Sequence, residues 1–243
     1  MTAGDPAHFL QGRTAIVTGA GRGIGRAIAK RLAVSGVNVV ITSRTADQLA
    51  ETQMLIERGG GRVFAQTADV TNAQDVERLV ERTLELFGPV DFLVNNAGAA
   101  PLAPIEEMEP AMFEHILASN VRSVYLCSRA VWPIMRESGG GTIVNIASIA
   151  AFDPFPGFAA YGAAKAFVVA YTRGLASEGA EHGIRVFAVA PGAVETDMLR
   201  GAFPDFPGDK LLYPDDIATM VEAMLSPTFR HSSGQTVTVS KST

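Results

Sequence analysis

Four glycines fall within seven residues directly after a short apolar run. Following Arg13–Thr18 the chain reads Thr18-Gly19-Ala20-Gly21-Arg22-Gly23-Ile24-Gly25, and an amphipathic segment, Gly23–Ser35, starts inside that turn. Glycines let a backbone reverse sharply and approach a pyrophosphate, while the helix N-terminus that follows offers unpaired N–H groups and the positive end of a dipole. A turn of this composition is informative because of its setting. It lies between a strand and a helix, with Val37–Ser43 as the next strand and Thr45–Arg58 as the next helix, so it opens a βαβ unit.

The alternation continues to the end of the chain. Arg62–Thr67 reads as a strand, Ala73–Phe87 as a helix and Asp91–Asn95 as a fourth strand. A long helical segment runs from about Glu109 to Arg136, with its interruption expected near Pro133. Gly139-Gly140-Gly141 opens the strand Thr142–Ala147, and a helix carrying Tyr161 and Lys165 runs to about Gly179. Ile184–Ala190 is a strand, Asp215–Leu225 a helix and Thr236–Val239 a last strand. Short strands separated by helices predict an α/β fold: a Rossmann-like, doubly wound parallel sheet of about seven strands with helices on both faces. At 243 residues we expect a single catalytic domain over 1–243, with 1–12 as an N-terminal tail and 191–213, rich in Gly, Pro and Phe, as a lid loop over the substrate.

Composition narrows the function classes. The formal net charge is -5 with the basic residues scattered, which argues against a nucleic-acid surface. The N-terminus lacks the pattern of a signal peptide and no apolar run is long enough to span a bilayer, so the expected location is cytoplasmic, with no membrane partner. Cys127 is the only cysteine and the four histidines are dispersed, so neither a disulfide nor a metal site is expected. Cys127 itself reads as a buried, inert thiol.

Between Ser148 and Lys165 a hydroxyl, a phenol and an amine lie in one strand-to-helix passage. Tyr161 and Lys165 are four apart in an Ala-rich run, hence on one helix face, one turn apart. A phenol titrates near pH 10, and a neighbouring ammonium can lower that value enough for acid–base work. Taken alone the pair better suits an amphipathic tyrosine beside a solvated lysine, and the rest of the chain must supply the case for chemistry.

The motifs taken together resemble the short-chain dehydrogenases/reductases. Gly19, Gly23 and Gly25 form a TGxxxGxG turn, Asn95-Asn96-Ala97-Gly98 looks like the NNAG motif, and Tyr161 with Lys165 is a YxxxK. Asp69-Val70 is similar to the adenine-contacting pair and Pro191-Gly192 with Thr196 to the segment that closes over the nicotinamide. Agreement extends in order from Arg13 to Val239. The resemblance implies Asn120, Ser148, Tyr161 and Lys165 as catalytic residues. It implies cofactor contacts from Gly19, Gly21, Arg22, Gly23, Ile24 and Gly25, from Ser43 and Arg44, from Asp69 and Val70, and from Asn96, Ala97 and Gly98. Tyr161, Lys165, Pro191, Gly192, Val194 and Thr196 complete that set. By the same resemblance Tyr161 would donate the proton in carbonyl reduction and would be the base in alcohol oxidation. Ser148 would polarise the same oxygen, Lys165 would depress the Tyr161 pKa and grip the ribose, and Asn120 would support a water beside Lys165.

The second strand ends in Thr42-Ser43-Arg44 with no acid, where an NAD site has one to bind the ribose hydroxyl. NADP(H) is therefore favoured, with Arg44 on the 2′-phosphate and Arg22 as a second guanidinium, and NAD(H) as the other possibility. The expected substrate pocket is Ser148, Ala150, Phe152, Phe155, Phe158, Tyr161, Met198, Leu199 and Phe203, which suits an apolar or aromatic ketone as the small-molecule partner. The chain is also similar to 3-oxoacyl-acyl-carrier-protein reductases, although Glu137-Ser138-Gly139-Gly140-Gly141 stands where those often carry a basic cluster. A non-catalytic dinucleotide-binding sensor or scaffold is the alternative of another class, disfavoured because all four catalytic positions are present. The family implies a homo-oligomer, a tetramer or dimer. Gly234-Gln235 matches its C-terminal motif, but the usual Gly-Gly after it is missing and the chain ends Lys241-Ser242-Thr243.

Overall fold

The computed structural model describes residues 9–241; residues 1–8, most of the expected N-terminal tail, and residues 242–243 lie outside the described residues. Seven strands form one parallel sheet in the order β3-β2-β1-β4-β5-β6-β7. They are β1 (Thr14–Thr18), β2 (Asn38–Ser43), β3 (Val63–Thr67), β4 (Phe92–Asn95), β5 (Gly141–Ile146), β6 (Ile184–Pro191) and β7 (Thr236–Val239). The central strands are apolar on both faces because both faces are covered. Ala15, Val17, Val39, Ile41, Val144 and Phe187 point into one core, and Ile16, Val40, Leu93, Ile143 and Val186 into the other.

Helices α1 (Gly23–Val34), α2 (Ala46–Arg58) and α8 (Pro214–Leu225) cover the first core through Ile28, Leu32, Leu49, Ile56, Ile217 and Val221. Helices α3 (Ala73–Phe87), α5 (Ser123–Glu137) and α6 (Ala159–Gly179) cover the second through Val76, Leu79, Leu126, Val131, Met135 and Leu175. Ordered packing begins before β1: Leu10 is buried, and the Phe9 ring meets Phe92 with centroids 6.3 Å apart.

The long segment expected to break near Pro133 is interrupted elsewhere. α4 (Pro110–Leu117) passes through a π-helical turn, Ala118–Arg122, into α5, and Pro133 sits inside α5 without ending it. The extra residue of a π turn re-aims one side chain without breaking the helix. Here that side chain is Asn120. The segment after β6 is likewise more regular than its composition suggests: it contains the short helix α7 (Asp197–Ala202) and a parallel bridge between Val194 and Leu212.

Candidate active site

The strand order reverses at β1, which is flanked by β2 and β4, and the crevice at the carboxyl ends of these strands collects the expected residues. The glycine turn leaves β1 with Gly19 at φ +63° and Gly23 at φ +55°, in the left-handed region where a side chain is strained. Gly25 is needed for a different reason. A Cβ there would lie 2.4 Å from both the Gly19 carbonyl oxygen and Asn96 Nδ2. α1 starts after Arg22 with no side-chain cap, so its first N–H groups remain open to an anion.

The turn is held from behind by Asn96 of the expected set and by polar groups to which the sequence pattern assigned no role. Thr18 Oγ1 accepts from the N–H groups of Asn96 and Ala97, each at 3.0 Å. Asn96 Nδ2 donates to Thr18 O at 2.9 Å and Gly19 O at 3.1 Å, so its amide is spent on the turn. Arg26 Nε donates to Gly21 O at 3.1 Å, and Thr52 Oγ1 to Ala20 O at 3.0 Å. A second buried relay joins β4, β5 and α6. Asn95 Nδ2 donates to Asn145 Oδ1 at 2.9 Å, and Asn145 Nδ2 to Thr172 Oγ1 at 2.9 Å. Asparagines in central strands are the signal that could have exposed this relay, since buried amides must find partners.

Asn120 is fully buried, and its Nδ2 donates to Ala99 O at 2.8 Å and to Ile116 O at 3.0 Å. Its Oδ1 has no partner. A Cβ on Gly98 would sit 2.6 Å from that oxygen and 3.5 Å from Lys165 Nζ, so Gly98 leaves room where the two groups converge. Lys165 is itself buried, 4% exposed, and Nζ donates to Ile146 O at 2.8 Å. It lies 5.7 Å from the Tyr161 ring centroid, beside the phenol and not in solvent. Burial pulls the ammonium down to about pKa 8. Burial also pushes the Tyr161 phenol up to about 12, while hydrogen bonding with Ser148 acts in the opposite direction. Ser148 stands just past β5, where its Oγ accepts from Ala150 N at 3.2 Å.

Residues 13–206 match the short chain dehydrogenase family. The chain belongs to that family. A 3-oxoacyl-[acyl-carrier-protein] reductase from Synechocystis sp. is 35% identical over 237 residues, 95% of this chain and 96% of that protein. A structure of 7 alpha-hydroxysteroid dehydrogenase complexed with NADH and 7-oxo glycochenodeoxycholic acid superposes with a TM-score of 0.90 at 36% identity, covering 95% of this chain and 94% of the other. A single-substitution variant of actinorhodin polyketide ketoreductase with NADPH also gives 0.90, at 32% identity over 94% of this chain and 95% of that one. The protein is therefore an oxidoreductase of the short-chain dehydrogenase family with a nicotinamide-dinucleotide fold.

In this family member the far end of the crevice carries Ser43 and Arg44 at the close of β2. Asp69 Oδ1 accepts from Thr71 N at 2.9 Å and Thr71 Oγ1 at 2.8 Å. Burial raises the Asp69 pKa, but the bonds from Thr71 and the nearby Arg44 charge outweigh it and hold the carboxyl below its usual range. Val70 is buried beside it. Arg22 is turned toward the opposite end, with Nη1 3.1 Å from Asp197 Oδ2. Gly192 N donates to Val239 O at 2.8 Å, Val194 is buried, and Thr196 caps α7 close to Gly23.

The expected pocket residues divide into two groups. Phe158 is buried, its ring 5.3 Å from Tyr161 and 6.0 Å from Phe203. Phe155 touches Phe158 edge-on at 6.4 Å but is itself half exposed, as are Phe152 and Met198. Ala150 is buried under the start of α6, where a Cβ on Gly162 would meet its carbonyl at 2.6 Å. Leu199 N donates to the Thr196 hydroxyl at 3.3 Å and holds the first turn of α7.

Proposed function

We propose that this dehydrogenase transfers hydride between NADP(H) and a carbonyl or secondary alcohol, with reduction of an apolar or aromatic ketone as its direction of use. The observation that carries this reading is the convergence of Tyr161, Ser148 and buried Lys165 with the unpartnered Asn120 Oδ1 at the mouth of the glycine turn. The residues fit a dinucleotide. Gly19 and Gly25 let the turn close tightly against Asn96 and Ala97 with no side chain to force it open, and the uncapped start of α1 suits a pyrophosphate. When bound, the dinucleotide supplies or accepts the hydride.

The protein's own groups handle the proton. Tyr161 hydroxyl donates to the oxygen that becomes the alcohol, and in oxidation the phenolate takes the proton back. Ser148 hydrogen-bonds that oxygen and favours charge on it. The Lys165 ammonium opposes the effect of burial on Tyr161 by favouring the phenolate, and it also serves the ribose hydroxyls. Asn120 Oδ1 accepts from a water that relays protons to Lys165.

Arg44 supports the choice of NADP(H). It stands at the ribose end of the crevice with no acid in Thr42-Ser43-Arg44, whereas Arg22 is engaged with Asp197. The remaining cofactor contacts come from Gly21, Gly23, Ile24, Ser43, Asp69, Val70, Asn96, Ala97, Gly98 and from Pro191, Gly192, Val194 and Thr196 at the lid base. Phe152, Phe155, Phe158, Met198, Leu199 and Phe203 supply an apolar wall with Ala150. No described helix is long and apolar enough to cross a membrane. We read the enzyme as a cytoplasmic homo-oligomer, supported by exposed Phe113, Tyr125 and Phe167. The relative from Synechocystis supports a second reading, a 3-oxoacyl-acyl-carrier-protein reductase, which differs in the carrier and not in the chemistry. A panel of free ketones, carrier-bound ketones and alcohols, followed by nicotinamide absorbance with both cofactors, tests the reading. It expects turnover of free aryl ketones with NADPH preferred, and turnover confined to carrier-bound substrate would replace it with the second reading.

A further inference from the structure

α7 has six residues, too few to be stable through its own hydrogen bonds, and it follows a loop that must nevertheless present Phe203 in a fixed place. One side chain links the parts. Arg200 Nε and Nη2 grip both carboxylate oxygens of Glu195, at 2.8 and 2.6 Å. Its Nη1 donates to the carbonyls of Pro204, at 3.1 Å, and Phe206, at 2.8 Å. Glu195 is in turn fastened to the body of the fold, because its N–H donates to Leu212 O at 2.9 Å beside the Val194–Leu212 bridge. A continuous path therefore runs from the scaffold through Glu195 and Arg200 to the two carbonyls that bracket the turn after Phe203. From there Phe203 packs on Phe158, and Phe158 on Tyr161.

We propose that Arg200 is the positioning residue of the substrate lid, holding Phe203 against Phe158 so that the aromatic wall admits flat, bulky ketones in preference to small ones. The inference rests on the ketone-reducing reading above and extends it to selectivity. A guanidinium is required because the planar fork alone can hold a carboxylate with two nitrogens and two carbonyls with the third. A lysine has the charge without the fork. Arg200 touches neither the proton donor nor the glycine cradle, so its effect falls on how the wall is placed.

The test compares wild type with Arg200→Ala and Arg200→Lys in the full-length protein, with two readouts. The first is amide hydrogen exchange at Phe203 and Phe206, whose N–H groups donate to Leu199 O at 2.7 Å and Phe203 O at 3.2 Å. Loss of several charge-assisted bonds should speed exchange there about tenfold or more in both variants, with the central sheet unchanged. The second is steady-state reduction of a bicyclic aryl ketone and a small aliphatic ketone with saturating NADPH. Both variants should raise KM for the aryl ketone about tenfold, with kcat within about twofold and the small ketone unaffected. Unchanged lid exchange, or restoration of either readout by lysine, overturns the positioning role. Faster exchange with equal losses on both ketones overturns the selectivity. If wild type reduces neither ketone, the substrate reading falls while the exchange comparison still decides whether Arg200 positions the lid.

Discussion

The glycine turn and the aromatic wall belong to the same candidate site, yet they are held by different kinds of force. Behind Gly19–Gly25 lie directional, partly or wholly buried bonds: Thr18, Asn96, Arg26 and Thr52 each fasten a named backbone atom, and an added methyl at Gly25 meets a carbonyl at 2.4 Å. The wall is assembled from ring contacts, with Phe152 and Phe155 half exposed and the lid tied down by surface ion pairs at Arg22 and Arg200. Directional bonds admit one geometry, and the turn must present the same backbone to the same ligand every time. Ring contacts tolerate exchange of one apolar group for another. On the proposed reading, the dinucleotide is held by the part that cannot vary, and the substrate is read by the part that can.

If that contrast is right, the turn should break before the wall does. Gly25→Ala forces the Gly19 carbonyl aside, and it should weaken dinucleotide affinity about a hundredfold or more in titration by intrinsic fluorescence or calorimetry. Normal affinity in that variant would mean that the close approach is not essential. Arg44→Ala sharpens the comparison at the edge of the rigid half. NADPH affinity should fall roughly thirtyfold while NADH changes less than about threefold, because only the phosphate ester loses a charge-assisted partner. Equal losses for both cofactors would remove Arg44 from the phosphate.

The smallest effect concerns stability and not activity. Lys165 titrates near 8 in the folded protein against 10.5 for a free lysine. Between those values the unfolded chain binds the extra proton, so stability rises with pH and the penalty of the buried charge disappears toward 10.5. Tyr161 acts the other way above pH 10, where the unfolded phenol ionises before the folded one at about 12. Urea unfolding at pH 8 and pH 10 should therefore show wild type gaining about 2 kcal/mol relative to Lys165→Met. A pH-independent difference between the two would show that the folded lysine is not desolvated.

Much of the rigid half was legible in the sequence for the reason that makes it rigid. Gly19, Gly23 and Gly25 have no substitute at their positions, so strand, turn and helix could be read from spacing alone. The parallel sheet followed from alternating apolar runs that must bury both faces. The interruption of the long helix was not legible, because proline is a visible breaker and a π turn has no compositional mark; it falls at Asn120, where the side chain must be re-aimed. Thr18, Arg26 and Asn145 were missed because each looks ordinary until a distant strand or turn supplies its partner. Arg200 was missed for a related reason: its partners are all near neighbours in a segment whose composition reads as loop. The identity of the wall phenylalanines was readable, but whether each ring faces the tyrosine or solvent depends on a lid whose path only tertiary contacts define.

The central claim is that Tyr161 moves the proton while the rest of the site holds the dinucleotide and the carbonyl. Comparing wild type with Tyr161→Phe tests it most directly, with turnover of an aryl ketone measured by nicotinamide absorbance beside the dissociation constant for NADPH. The variant should lose about a thousandfold or more in kcat while its NADPH affinity stays within about threefold of wild type. A wild-type rate in the phenylalanine variant would contradict the account.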